Sequence, residues 1–78
     1  NDRVSITLFA FDKGEEIGLH DTTGDAMATV LDGAGRFTIG GKQHILKSGE
    51  TIVMPAGIEH SVFAPGAFKW ILTVVFPK

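Results

Sequence analysis

The sequence predicts an all-β domain of antiparallel strands, a sandwich or barrel, and three observations carry that expectation. Gly, Asp or Pro interrupts the chain every eight or so residues, at KG, TGD, DGAG, IGGK, KSGE, MPAG and FAPG. The segments between these marks are short and rich in Val, Ile, Thr and Phe, residues that fit a pleated, half-buried surface. No window of helical length holds a clean apolar period of 3.6 residues.

Strands are expected over 4–11, 15–22, 26–31, 35–40, 42–47, 51–54, 60–64 and 68–76. Lys13-Gly14 separates the first from the second, Gly24 the second from the third, and the DGAG run the third from the fourth. In FTIGGKQHIL, Gly40-Gly41 supplies the positive φ angles of a two-residue hairpin turn, with Phe37 and Ile39 on one face and Thr38 on the other. Gly49 permits the next turn, TIVM reads as a buried strand, and Pro55 ends it because proline cannot donate to a ladder. Gly57 allows the chain to bend before His60 opens the seventh strand, where a period of two places Ile58, His60 and Val62 together. The last strand is apolar at nearly every position, so both faces need covering, one by the core and one by a second sheet or second subunit.

A chain of 78 residues makes one domain. Folding at this size removes only about 60–65% of the unfolded surface from water, so an added source of stability is expected. Without Cys it is not a disulfide, which leaves a metal or oligomerisation; a homodimer is expected. The absence of Cys also excludes thiolate zinc sites and cysteine nucleophiles. A net charge of −2 with scattered Lys and Arg offers no stripe for phosphates, so no nucleic-acid partner is expected. The run WILTVVF is far shorter than the roughly 20 residues of a membrane-spanning helix. The chain opens at Asn1 without a charged-then-apolar leader, and the expected location is cytoplasmic, away from the membrane.

Two stretches carry the chemistry. Gly49, Pro55, Gly57 and His60 meet the pattern G-x5-P-x-G-x2-H-x3-N at every spacing, with Ala64 at its final position. Gly14, His20 and Gly33 meet G-x5-H-x-H-x3,4-E-x6-G, with Thr22 at the second His and Ala26 at the Glu. On these motifs, which span most of the chain, the sequence resembles the cupin superfamily. The resemblance implies an antiparallel jelly-roll barrel, often dimeric, open at one end onto a pocket. In metal-binding cupins the three His and the Glu of these motifs converge on one divalent ion; this chain keeps His20 and His60.

The expected pocket residues are His20, Thr22, Ala26, Ala28, Ile58, His60 and Val62, and the expected metal ligands are His20 and His60. Asp25 is the one candidate third ligand. It precedes the lost Glu by one residue and faces the other way on a regular strand, unless a bulge at Gly24 turns it inward. Catalytic zinc normally has three protein ligands, and non-haem iron two His and a carboxylate, so zinc, nickel, iron or manganese is expected to be held only weakly. His44, after the hairpin turn, is expected to face solvent as an ordinary polar residue. Met54, Phe37, Phe63, Phe68 and Trp70 read as core or interface. The leading reading is a small-molecule-binding cupin with a degenerate metal site. A metal-dependent dioxygenase or isomerase using His20 and His60 is the alternative, and a purely structural dimerisation module the third reading.

Overall fold

The computed structural model describes residues 3–20 and 23–77, with the side chains of Leu19 and His20 outside the description. Eight strands form: β1 (Val4–Phe11), β2 (Glu16–His20), β3 (Asp25–Asp32), β4 (Ala34–Ile39), β5 (Lys42–Lys47), β6 (Thr51–Met54), β7 (His60–Phe63) and β8 (Phe68–Val75). Each coincides with an expected strand to within a few residues at its ends. No helix occurs among the described residues, so none could cross a membrane.

The strands make two four-stranded sheets, β1-β8-β3-β6 and β2-β7-β4-β5, antiparallel throughout. This order is a jelly roll, in which the two sheets face each other without one continuous ladder closing them. β8 lies at the centre of the first sheet, between β1 and β3. The β4–β5 hairpin turns through Gly40 and Gly41 at φ of 55° and 82°, as the sequence requires, and this two-residue turn sets Ile39 opposite Lys42 and Phe37 opposite His44.

Period-two alternation builds the core. Along β3, Ala26, Ala28 and Val30 are buried while Asp25, Met27 and Leu31 are exposed; along β8, Phe68, Trp70 and Val74 are buried. The end of the barrel away from His60 is filled by rings. Trp70 stacks on Phe9 at 4.7 Å between centroids and meets Phe37 at 5.4 Å and Phe11 at 5.7 Å, both near perpendicular. Such pairs contribute about 0.5–1.5 kcal/mol each beyond area burial. β4 comes close to this cluster at Gly35, where a Cβ would collide with the ring of Phe68. The indole Nε1 of Trp70 is the only fully buried side-chain nitrogen or oxygen without a hydrogen-bond partner among the described residues, and it lies among aromatic rings.

The inner face of the last strand is buried as expected, while on its outer face Val75 is 52% exposed and Lys69, at the other end of the strand, is exposed.

Candidate ligand site at the histidine end

His60 is the one polar residue buried in the described interior, at 2% exposure. β7 places it inward, next to Val62 on the same face and opposite Ile39 of β4. Burial of an imidazole is costly unless its nitrogens are satisfied. Its Nδ1 lies 3.1 Å from the carbonyl oxygen of Ile58. A carbonyl can only accept, so Nδ1 carries the hydrogen of this bond.

The loop that supplies this carbonyl is pinned from three sides. Gly57, at φ 77°, turns the chain after Pro55. The amide of Ile58 donates to the carbonyl of Pro55, and the amide of Gly40 donates to the carbonyl of Glu59, tying the loop to the β4–β5 hairpin. The amide of Ala56 donates to Oδ1 of Asp25, 2.9 Å away. The carboxylate of Asp25 is therefore engaged outside the barrel. It stands on the exposed face of β3, and the ladders β3 makes with β6 and β8 run unbroken past Asp25 and Ala26. No bulge at Gly24 turns it inward as a third ligand.

The extra residue falls instead in β2. The register shifts between Ile17, opposite Val62, and His20, opposite His60, so the backbones of the two motif histidines are paired directly. The ring of His20, and Thr22 altogether, lie outside the described residues. Ala26, opposite Met54, and Ala28, opposite Ile52, form an apolar wall, and both are fully buried with Val62. Ile58 does not share the inward face of β7 as expected. It sits in the preceding loop, 41% exposed, and contributes its carbonyl rather than its side chain.

His44 is likewise corrected. It is half-buried, on the same face as the buried Leu46, and its partner across the hairpin is the fully buried Phe37. The side chain thus stands on the concave side of the sheet that carries His60. Sequence reasoning also missed the Ile58 carbonyl and the Asp25 pin, because a backbone acceptor and a contact 31 residues distant leave no local signal.

Among the described residues no three His, Asp or Glu side chains come together, and Ala26 puts a methyl group where the motif has a carboxylate. A cavity of about 150 Å³ does occur, but at the far end, lined by Ala10, Phe11, Asp12, Asp32, Ala67, Phe68 and Lys69. It is smaller than the roughly 300–1,000 Å³ of ordinary ligand pockets and carries no imidazole, so the chemistry places the candidate site at the His60 end.

A jelly-roll barrel with a buried, hydrogen-bonded imidazole at the start of its seventh strand defines a class of small β-barrel proteins that present a histidine to their interior. The chain belongs to the cupin family: the family's Cupin domain model matches residues 7–76. A conserved protein of unknown function from Streptococcus pyogenes is 47% identical over 97% of this chain and 67% of that one, with a TM-score of 0.95. A cupin 2 conserved barrel domain protein from Leptotrichia buccalis is 41% identical over 96% of this chain, with a TM-score of 0.92, and this chain spans 36% of its length. A cupin superfamily protein from Desulfitobacterium hafniense is 27% identical over 99% of this chain and 71% of that one, with a TM-score of 0.94. No curated protein matches the chain.

Proposed function

We propose that the protein binds a small polar molecule at the histidine end of its barrel, with the imidazole of His60 as a recognition group and without dependence on a resident metal. The observation that carries this reading is the hydrogen bond from His60 Nδ1 to the Ile58 carbonyl. It orients a buried imidazole at the end of the barrel, a polar group among apolar walls of the kind that fixes the orientation of a small ligand. The Ala26 and Ala28 wall keeps the neighbouring side chains small and uncharged.

A second reading, a metal-dependent dioxygenase or isomerase, is supported by the pairing of His20 with His60 on adjacent strands. Two imidazoles without a carboxylate leave a divalent ion mostly hydrated and its charge unopposed among apolar groups, so the ion would be weakly held.

Both readings meet in one experiment. The protein is prepared without a histidine tag, analysed for metal, and titrated with a panel of small hydroxy acids, amides and aromatic alcohols while amide shifts are followed by NMR. Saturable shifts centred on His60, Ile39 and Ala26, lost in His60→Ala and unaffected by chelator, are expected. Stoichiometric zinc, nickel, iron or manganese that survives dialysis would replace this reading with the enzyme.

A further inference from the structure

We infer that the molecule bound at the histidine end is a small monocarboxylate, received by Lys42 and His44 of β5; this rests on the reading that a ligand occupies that end, and gives its chemical class. The register sorts the charges of the barrel by face. Of the carboxylates carried on the described strands, Glu16 stands opposite Phe63 on the outer side of β7, Asp25 opposite the exposed Val75, and Asp32 opposite the exposed Lys69. All three therefore point away from the interior. β5 turns its polar residues the other way: Lys42 lies opposite Ile39 and His44 opposite Phe37, and both partners pack in the core. Lys42, His44 and His60 are thus the titratable side chains that the described strands present to the inside, and all three are bases.

One row across three adjacent strands reads His60, Ile39, Lys42. Its ends are two strand spacings apart, roughly 10 Å, with the aliphatic Ile39 between them. A lysine lays its apolar stem along such a residue and keeps its ammonium free. His44 stands one row deeper, half-buried, and no described residue hydrogen-bonds its ring. On the facing sheet, Ser5 and Thr7 share the inner face of β1 with Phe9, whose ring stacks on Trp70, yet both are exposed. This end of the barrel is therefore open. A charge entering an apolar interior needs a counter-charge, and the one full charge that faces it is the ammonium of Lys42. A carboxylate would meet that ammonium and a ring N–H in charge-assisted hydrogen bonds, whereas a cationic ligand would meet like charge. Glu59, next to His60 in sequence, is exposed in the loop before β7. A phosphate would need further positive charge, and Arg36 is turned outward, its guanidinium 4.5 Å from the centroid of the Phe63 ring. No helix N-terminus occurs among the described residues to stand in for it.

The test takes lactate and benzoate, each with its amide and its alcohol, and titrates them into the 78-residue chain, freed of metal by dialysis, while amide shifts are followed by NMR. Saturable shifts at Lys42, His44 and His60 are expected, with each carboxylate bound about tenfold more tightly than its neutral partners. Lys42→Met should erase that preference and leave affinity for the amides unchanged, and Lys42→Arg should keep it. Lys47→Met, on the exposed outer face of the same strand, should change nothing. A second measurement needs no variant: rising ionic strength should weaken binding of the carboxylates and leave binding of the alcohols as it was. Equal affinity for acid and amide, a preference that survives Lys42→Met, or inorganic phosphate bound more tightly than lactate would overturn the inference while the proposed function stands. Saturation by none of the six organic probes would overturn both.

Discussion

Oδ1 of Asp25 accepts the amide hydrogen of Ala56 at 2.9 Å, joining the first residue of β3 to the loop that carries the Ile58 carbonyl. The carboxylate next to the motif's lost Glu position thus serves the site from outside. It holds the loop, the loop holds His60 through Nδ1, and the ring's orientation follows.

Replacing Asp25 should loosen that chain of contacts. Asp25→Ala removes one exposed charge-assisted hydrogen bond and is expected to cost about 1 kcal/mol, which lowers the melting temperature by about 4–8 °C in a domain of this size. Asp25→Asn keeps an acceptor and should recover most of the loss. Faster amide exchange at Ala56, with little change in the core strands, is the measurement that separates a released loop from general destabilisation.

At His60 the expected effect is larger. His60→Ala removes a fully buried ring and leaves both the Ile58 carbonyl and a cavity beside Val62 and Ile39. A loss of about 2–4 kcal/mol is expected by denaturant unfolding, together with loss of the NMR shifts induced by ligand.

Restoring the missing ligands should create a metal site at a cost to the apo protein. Ala26 is 2% exposed opposite Met54, so Ala26→Glu places a carboxylate among apolar groups, and with Thr22→His the double variant should melt below the wild type without metal. Added zinc or nickel should reverse the order, because an ion bound only by the folded state stabilises it by mass action. Calorimetric titration should show affinity higher by orders of magnitude than in the unaltered chain. Equal, tight binding by both proteins would refute the degenerate-site reading.

Two glycine substitutions of identical chemistry should differ in kind. Gly41→Ala meets no neighbouring atom and suffers only from φ at 82°, a cost of about 1–2 kcal/mol. Gly35→Ala drives a methyl into the Phe68 ring and should cost about 1–3 kcal/mol while also shifting the aromatic side-chain resonances, which Gly41→Ala leaves in place.

Much of this architecture is legible in the sequence because period two and turn chemistry act locally. The Gly40-Gly41 turn fixed a hairpin, and the spacing of Gly49, Pro55, Gly57 and His60 fixed where the seventh strand begins. His44 was within reach of the same logic: a two-residue turn puts it opposite Phe37, so an inward Phe37 requires an inward His44. Asp25, Ile58 and the shift between Ile17 and His20 were not legible, since each depends on which distant backbone a strand end meets.

The central place of β8 has a consequence for how the chain comes into being. β1 and β3, made early, do not touch each other in the sheet; each pairs with β8, which is made last. During synthesis the first sheet has flanks but no middle. Its apolar strands wait with open edges until Phe68–Val75 leaves the ribosome, then close by long-range contacts that run from Val4 opposite Val75 to Phe11 opposite Phe68. Nascent chains cut short before Phe68 should accordingly be clients of chaperones and proteases, however complete the β2-β7-β4-β5 sheet already is.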